Sequence, residues 1–241
     1  MAEVLMAAQG VSRRFGGLMA VDNVSLTLAR GNGAGKSTLI NLLSGELPVS
    51  TGSVALRGQD VTRWAQPRRA RAGLGRSYQR NTLFPAFTVH ENCRLAAQAR
   101  WPRPWDWWTP ASACRHSNDA AHQALQRAGL QAQAQRIAGT LSHGQKRQLE
   151  IAMCLASDPQ VLLLDEPLAG MGVEESERML ALLAELKNGH AVLLVEHDME
   201  AVFRVADGLT VMVNGRVIAS GTPADVRADR EVQIAYLGDG A

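Results

Sequence analysis

The stretch that most constrains this chain is Asn32-Gly33-Ala34-Gly35-Lys36-Ser37-Thr38. Glycine alternates with small residues, and a lysine and two hydroxyls follow. A loop of this kind can curl its backbone N–H groups around a phosphate, because glycine tolerates positive φ and carries no side chain to block the approach. The apolar run from Leu39-Ile40 to Leu42-Leu43 comes at once, so a helix begins inside the motif and aims its partial positive charge at the same phosphate. In that geometry Lys36 reaches the β- and γ-phosphates and Ser37 holds Mg²⁺. Of 25 lysines and arginines only Lys36, Lys146 and Lys187 are lysines, so an arginine-preferring chain places its compact ammonium where phosphate chemistry wants one. The motif also departs from its pattern. G-x-x-x-x-G-K-[ST] asks for glycine five positions before Gly35, where this chain has Arg30, with Gly31 displaced by one. The strand expected over Val24-Ser25-Leu26-Thr27-Leu28 ends almost on top of the loop.

A chain of 241 residues can bury a real core as one or two domains. The formal net charge of +2 gives no polyelectrolyte signal, so nucleic acid is not implied as a partner. Cys93, Cys114 and Cys154 are scattered and odd in number, which argues against a disulfide framework and for a reducing compartment. No apolar run spans a bilayer and no secretory signal opens the sequence, so a membrane role would come through a partner.

Glu3 to Arg14 and Asp22 to Ala29 read as short strands joined through Phe15-Gly16-Gly17. Phe15 either stacks on a purine base or packs under the hairpin. Ser37 to Ser44 reads as a helix stopped by Gly45, Thr51-Gly52-Ser53 as a turn, and Ser53 to Leu56 as a strand. A short basic helix over Pro67 to Ala72 precedes a strand ending at Gln79, which is either buried or a metal and water contact. Val89 to Ala99 and Asn118 to Ala128 read as helices. Between them Trp101, Trp105, Trp107 and Trp108, interleaved with prolines, form either a partner-facing surface or an aromatic staple. In Leu141-Ser142-His143-Gly144-Gln145, Ser142 is a plausible N-cap for the helix that follows, making a second potential anion site.

Val161-Leu162-Leu163-Leu164 reads as a strand buried on both faces of a parallel sheet. Asp165 and Glu166 then sit at its C-terminal end, where α/β proteins place their ligands. Asp165 suits Mg²⁺, and Glu166 suits polarising a water for attack on a γ-phosphate. After a helix over Glu174 to Leu186, Ala191 to Val195 is another buried strand, and His197 follows it in a parallel position. Two short strands and two helices complete an α/β chain.

Asn32 to Thr38, Gln79, Leu141 to Gln145, Val161 to Glu166 and His197 occur in the order of the Walker A motif, Q-loop, signature, Walker B motif and switch histidine of ABC-transporter nucleotide-binding subunits. The chain resembles that family over essentially its whole length. Arg13 to Gly17, Gly73 to Arg80, Ala169-Gly170-Met171 and Ala235 to Gly238 resemble the ATPase subunits of bacterial branched-chain amino acid importers.

The resemblance implies a RecA-like P-loop NTPase core in an α/β fold, with an antiparallel β-subdomain. It also implies an inserted helical subdomain at about 80–160 and a β/α tail at about 208–241. By resemblance, Phe15 stacks on adenine, and Asn32, Gly33, Ala34, Gly35, Lys36, Ser37 and Thr38 bind ATP. Ser37, Gln79 and Asp165 serve Mg²⁺. Glu166 is the general base, with Gln79 and His197 beside it. Ser142, Gly144 and Gln145 bind the γ-phosphate of the nucleotide on an opposing subunit.

The implied partners are a second ATPase subunit, the same or different, and transmembrane permease subunits. A periplasmic solute-binding protein takes part indirectly, and the implied place is the cytoplasmic face of the bacterial inner membrane. Lipopolysaccharide-export ATPases share the motifs, and a degenerate, non-hydrolysing subunit is a further alternative. His143 stands where many members have glycine, and Gly172 where many have aspartate. In the family a strand lies before the phosphate loop, and here roughly 8–9 residues, about one strand and its turn, are missing. Either Val24 to Leu28 is drawn out to fill the gap, or the sheet is short of a strand.

Overall fold

The computed structural model describes residues 3–29, 37–78, 82–100 and 110–237. The expectations placed on Asn32 to Lys36, on Gln79 and on the tryptophans from 101 to 108 lie outside the described residues.

Strands β1 (Val4–Phe15) and β2 (Leu18–Ala29) form one long antiparallel hairpin, paired from Val4 opposite Ala29 to Phe15 opposite Leu18. The two-residue turn, Gly16-Gly17, has Gly16 at φ 57°, which a residue with a side chain rarely adopts. β1 also pairs with β3 (Thr51–Leu56), and β3 with β4 (Gln59–Asp60), giving the order β2-β1-β3-β4. Thr51-Gly52-Ser53 is therefore part of a strand and not the expected turn. Gly52, at φ 87°, lets the two backbones cross at an irregular step in the ladder, where a Cβ would come 2.4 Å from the Gly10 carbonyl oxygen.

Strands β5 (Leu74–Arg76), β6 (Val161–Asp165) and β7 (Ala191–Val195) make a parallel sheet in that order. Every residue of β6 and β7 is buried, as expected when both faces are covered. The alternation of a strand sorts them. Leu162, Leu164, Val192 and Leu194 face a core shared with helices α5 (His143–Ala156) and α6 (Val173–Leu186). Val161, Leu163, Ala191, Leu193 and Val195 face a second core with α1 (Ser37–Ser44) and the antiparallel sheet.

The C-terminal end of α1 is held by Arg69 of α2 (Gln66–Arg71), a side chain only 1% exposed. Its guanidinium donates to the carbonyls of Leu42 and Leu43, at 2.9 and 2.7 Å, and to those of Thr62 and Trp64. The last carbonyls of a helix have no partner within it, and here an arginine supplies one. Arg69→Met should leave the Leu43 carbonyl buried and unpaired, at about 1–3 kcal/mol, while the Leu42 carbonyl keeps the Gly45 N–H at 3.2 Å. The melting temperature should then fall by roughly 2–12 °C, readable by calorimetry. A fall of under a degree would show that α1 is held elsewhere.

Helices α3 (Val89–Arg100), α4 (Arg115–Arg127) and α5 pack against one another. β7 leads to α7 (Met199–Val205), which the sequence reading did not anticipate, although Asp198 caps it by accepting the Ala201 N–H. The chain continues with the hairpin β8 (Leu209–Val213) and β9 (Arg216–Gly221), then α8 (Pro223–Ala228) and α9 (Arg230–Leu237). β8 and β9 form a sheet of their own. A cavity of about 520 Å³ separates Ser25–Leu28 of β2 from Leu209, Thr210 and Ser220–Thr222 at one end of that hairpin.

No disulfide joins Cys93, Cys114 and Cys154. Burial pushes the Cys154 thiol up to about 12 and Cys93 higher still, so neither supplies a thiolate. No helix among the described residues is long and apolar enough to cross a membrane.

Candidate functional site

Asp165 and Glu166 stand at the C-terminal end of β6. Asp165 is 3% exposed, and its N–H donates to Ser77 Oγ at 3.1 Å, tying the strand end to the residue that follows β5. Glu166 leaves the strand at φ 48°, in the left-handed region that a residue with a side chain enters only when its surroundings hold it there. The restraint is its own N–H, which donates to the Val195 carbonyl at the end of β7 at 2.9 Å.

A second bond latches the same turn. Leu168 N–H donates to Glu196 Oε1 at 2.8 Å. The Glu196 side chain is 1% exposed, its Oε2 has no hydrogen-bond partner, and burial raises its carboxyl above the usual range against the pull of the Leu168 N–H. His197 Nδ1 lies 3.9 Å from both Glu166 Oε1 and Glu196 Oε2, on a side chain that is largely exposed. The sequence reading paired Glu166 with His197 but missed Glu196 and Ser77. For Glu196 the signal was a carboxylate placed between an all-aliphatic strand and a histidine.

The helix that follows the phosphate loop begins at Ser37, with Thr38 half-buried in its first turn, and α1 packs on β6. The loop's helix therefore lies against the strand that ends in the acidic pair. Phe15 is exposed at the tip of the first hairpin with the Arg13 guanidinium 4.6 Å from its ring centroid, so it is not packed underneath.

Ser142 caps α5 through a reciprocal pair. Its Oγ accepts the Gln145 N–H at 3.2 Å, and Gln145 Oε1 accepts the Ser142 N–H at 3.1 Å. Ser142, Gly144 and Gln145 line a cavity of about 250 Å³ together with Gln148, Glu175 and Arg178. Asp165, Glu166 and His197 are not among its walls. His143 Nε2 lies 3.0 Å from the Ala169 carbonyl oxygen, joining α5 to the turn that follows Glu166. The structure thus gathers Asp165, Glu166 and His197 in one place and Ser142, Gly144 and Gln145 in another.

The family described as ABC transporter matches residues 23–169, and the one described as branched-chain amino acid ATP-binding cassette transporter matches residues 216–241. The chain is 38% identical over 255 residues to the high-affinity branched-chain amino acid transport ATP-binding protein LivG of Escherichia coli (strain K12), covering 99% of this chain and all of that one. It is 35% identical to BraF of Pseudomonas aeruginosa, a protein of the same description, over 99% of this chain. Among solved structures, a nucleotide-free ATP-binding cassette from an ABC transporter superimposes with a TM-score of 0.86 at 27% identity, covering 98% of this chain and all of that one. The ADP conformation of the cassette MJ1267 gives 0.84 at 28% identity, covering 98% and 99%. With the order of its motifs, its P-loop NTPase architecture and this likeness along its full length, the chain belongs to the ABC transporter family of ATP-binding subunits.

Proposed function

We propose that the chain is the ATP-binding and ATP-hydrolysing subunit of a bacterial importer for branched-chain or related amino acids. The observation that carries this reading is the turn after β6. It holds Glu166 by its own backbone against β7 and brings it to His197, at the end of the strand on which the helix that follows the phosphate loop packs. Asn32 to Thr38 would cradle the nucleotide's phosphates, and Phe15, exposed at its hairpin tip, would stack on adenine. Ser37, Gln79 and Asp165 offer oxygen donors, the chemistry that suits Mg²⁺, and a buried carboxylate at a strand end fits that role. Bound there, Mg²⁺ would neutralise charge on the β- and γ-phosphates.

Glu166 accepts a proton from the attacking water, while His197 and Gln79 orient the water and the γ-phosphate. Ser142, Gly144 and Gln145 lie away from this group, which suits a phosphate carried by a second, facing subunit. Two subunits would sandwich two nucleotides head to tail at the cytoplasmic face of the inner membrane. Their closure would drive the transmembrane permease partners, and a periplasmic solute-binding protein would deliver the cargo.

The test is affinity capture of the chain with its membrane partners, followed by reconstitution into liposomes. ATP-dependent uptake of leucine, isoleucine or valine is expected. Turnover stimulated by lipopolysaccharide, without amino-acid uptake, would replace import by the export reading.

A further inference from the structure

Gly144, in the first turn of α5, faces an anion that the chain itself provides. Glu175 belongs to the first turn of α6, yet its Oε1 accepts the Ser142 Oγ–H at 2.9 Å. A Cβ built on Gly144 would fall 2.5 Å from the Glu175 carboxyl carbon and 2.7 and 2.8 Å from its two oxygens. The carboxylate therefore lies flat in the space that the missing side chain leaves open, at the positive end of a 14-residue helix. The nearby cation does not claim it, since Arg178 pairs with Glu174 at 3.4 Å. Ser142 keeps its capping bond to the Gln145 N–H at the same time, so the hydroxyl accepts one bond and donates the other to Glu175.

We propose that Glu175 is a positioning residue that keeps the Ser142–Gly144 seat closed by occupying it, so that a nucleotide phosphate on the opposing subunit must displace its carboxylate before two subunits come together. The inference rests on the reading given above, in which Ser142, Gly144 and Gln145 bind that phosphate. Two anions cannot share one seat without repulsion. The Glu175 contact also ties α5 to α6, the helix that follows the Glu166 turn. Displacing the carboxylate would remove one of the ties that hold α5 to α6 as the partner arrives. Glu175 thus raises the nucleotide concentration at which closure begins and leaves the chemistry at Glu166 untouched.

The test uses the Glu166→Gln chain, in which bound ATP persists, and follows dimer formation by sedimentation as MgATP is raised to saturation. Adding Glu175→Ala should lower the half-maximal MgATP concentration by about tenfold, within the usual range of coupling between sites. Glu175→Gln keeps an acceptor for Ser142 and loses only the charge, so it should give most of that shift. A purely structural role for Glu175 would weaken closure on substitution and could not ease it. Equal or higher half-maximal MgATP in both variants, with melting temperatures that show them folded, overturns the inference. Ser142→Ala distinguishes the two levels. If it weakens closure while the Glu175 variants do nothing, only the role of Glu175 is wrong. If Ser142→Ala leaves closure unchanged, or no chain dimerises at any MgATP concentration, the reading of the seat fails and the inference with it.

Discussion

Glu166→Gln should lower ATP turnover by about 10²–10⁴-fold, the usual contribution of a general base, while ATP affinity stays unchanged. The unusual backbone at this position is held by the Glu166 N–H and the Val195 carbonyl, and glutamine keeps both that bond and the side-chain volume. What is lost is the group that takes the proton from water. An amide cannot accept that proton in the transition state, so kcat and kcat/KM should fall together. ATP that binds and is not hydrolysed should then accumulate a closed dimer. The measurement is steady-state hydrolysis with the membrane partners present, beside equilibrium binding of a fluorescent ATP analogue. Unchanged turnover would remove Glu166 from the chemistry. Weakened nucleotide binding with unchanged turnover per bound ATP would make it a binding group instead.

The parts of this site legible in the sequence are those fixed by neighbours along the chain. Val161 to Leu164 could be read as a strand covered on both faces because four aliphatics leave no solvent side. The Ser142 cap was visible because Gln145 stands three residues on, where a capping box needs it. Contacts between distant segments were not legible. Arg69 reads as one more basic residue in Pro67-Arg68-Arg69, and only the fold carries it to carbonyls 26 and 27 positions away. Glu175 reads as an ordinary acid near a helix N-terminus, although its bond to Ser142 spans 33 positions. Gly52 looked like a turn residue because glycine serves both turns and close backbone crossings, and the sequence does not say which. Helix α7 was missed because seven residues give too few repeats for a period to show. The first strand was expected over Glu3 to Arg14 and lies one residue on, at Val4–Phe15, whereas the second, expected over Asp22 to Ala29, begins at Leu18 because the irregular steps that interrupt its alternation are absorbed within a single ladder.

Inserting an apolar strand segment that closes on glycine and one further residue between Gly31 and Asn32 should raise both the melting temperature and the affinity for MgATP. β2 stays paired with β1 as far as Ala29, so Val24 to Leu28 has not been drawn away to rebuild the parallel sheet. Among the described residues that sheet has three strands, and no strand pairs with the outer edge of β7 although all five of its residues are buried. The β8–β9 hairpin forms a sheet of its own, its turn meeting β2 where the Asp22 N–H donates to the Gly215 carbonyl, and the cavity of about 520 Å³ lies between its other end and the last residues of β2. The alignment to LivG agrees with a loss, since 255 positions against 241 residues leave at least 14 with no residue of this chain. A central parallel strand would pair the outer edge of β7 and aim the phosphate loop from its C-terminal end. Each buried backbone group that gains a partner is worth about 1–3 kcal/mol, so even two of them should raise the melting temperature by roughly 5–20 °C. Glycine one residue from the end of the insert would also stand five positions before Gly35, the place that the loop pattern reserves for it and that Arg30 now holds. ATP affinity should rise by at least about tenfold, which corresponds to about 1.4 kcal/mol of better-aimed phosphate contacts. Calorimetry and equilibrium binding of MgATP on the two chains give the answer. If the unmodified chain already binds MgATP at micromolar concentrations and melts no lower than the repaired one, no strand is missing in any sense that matters to the protein.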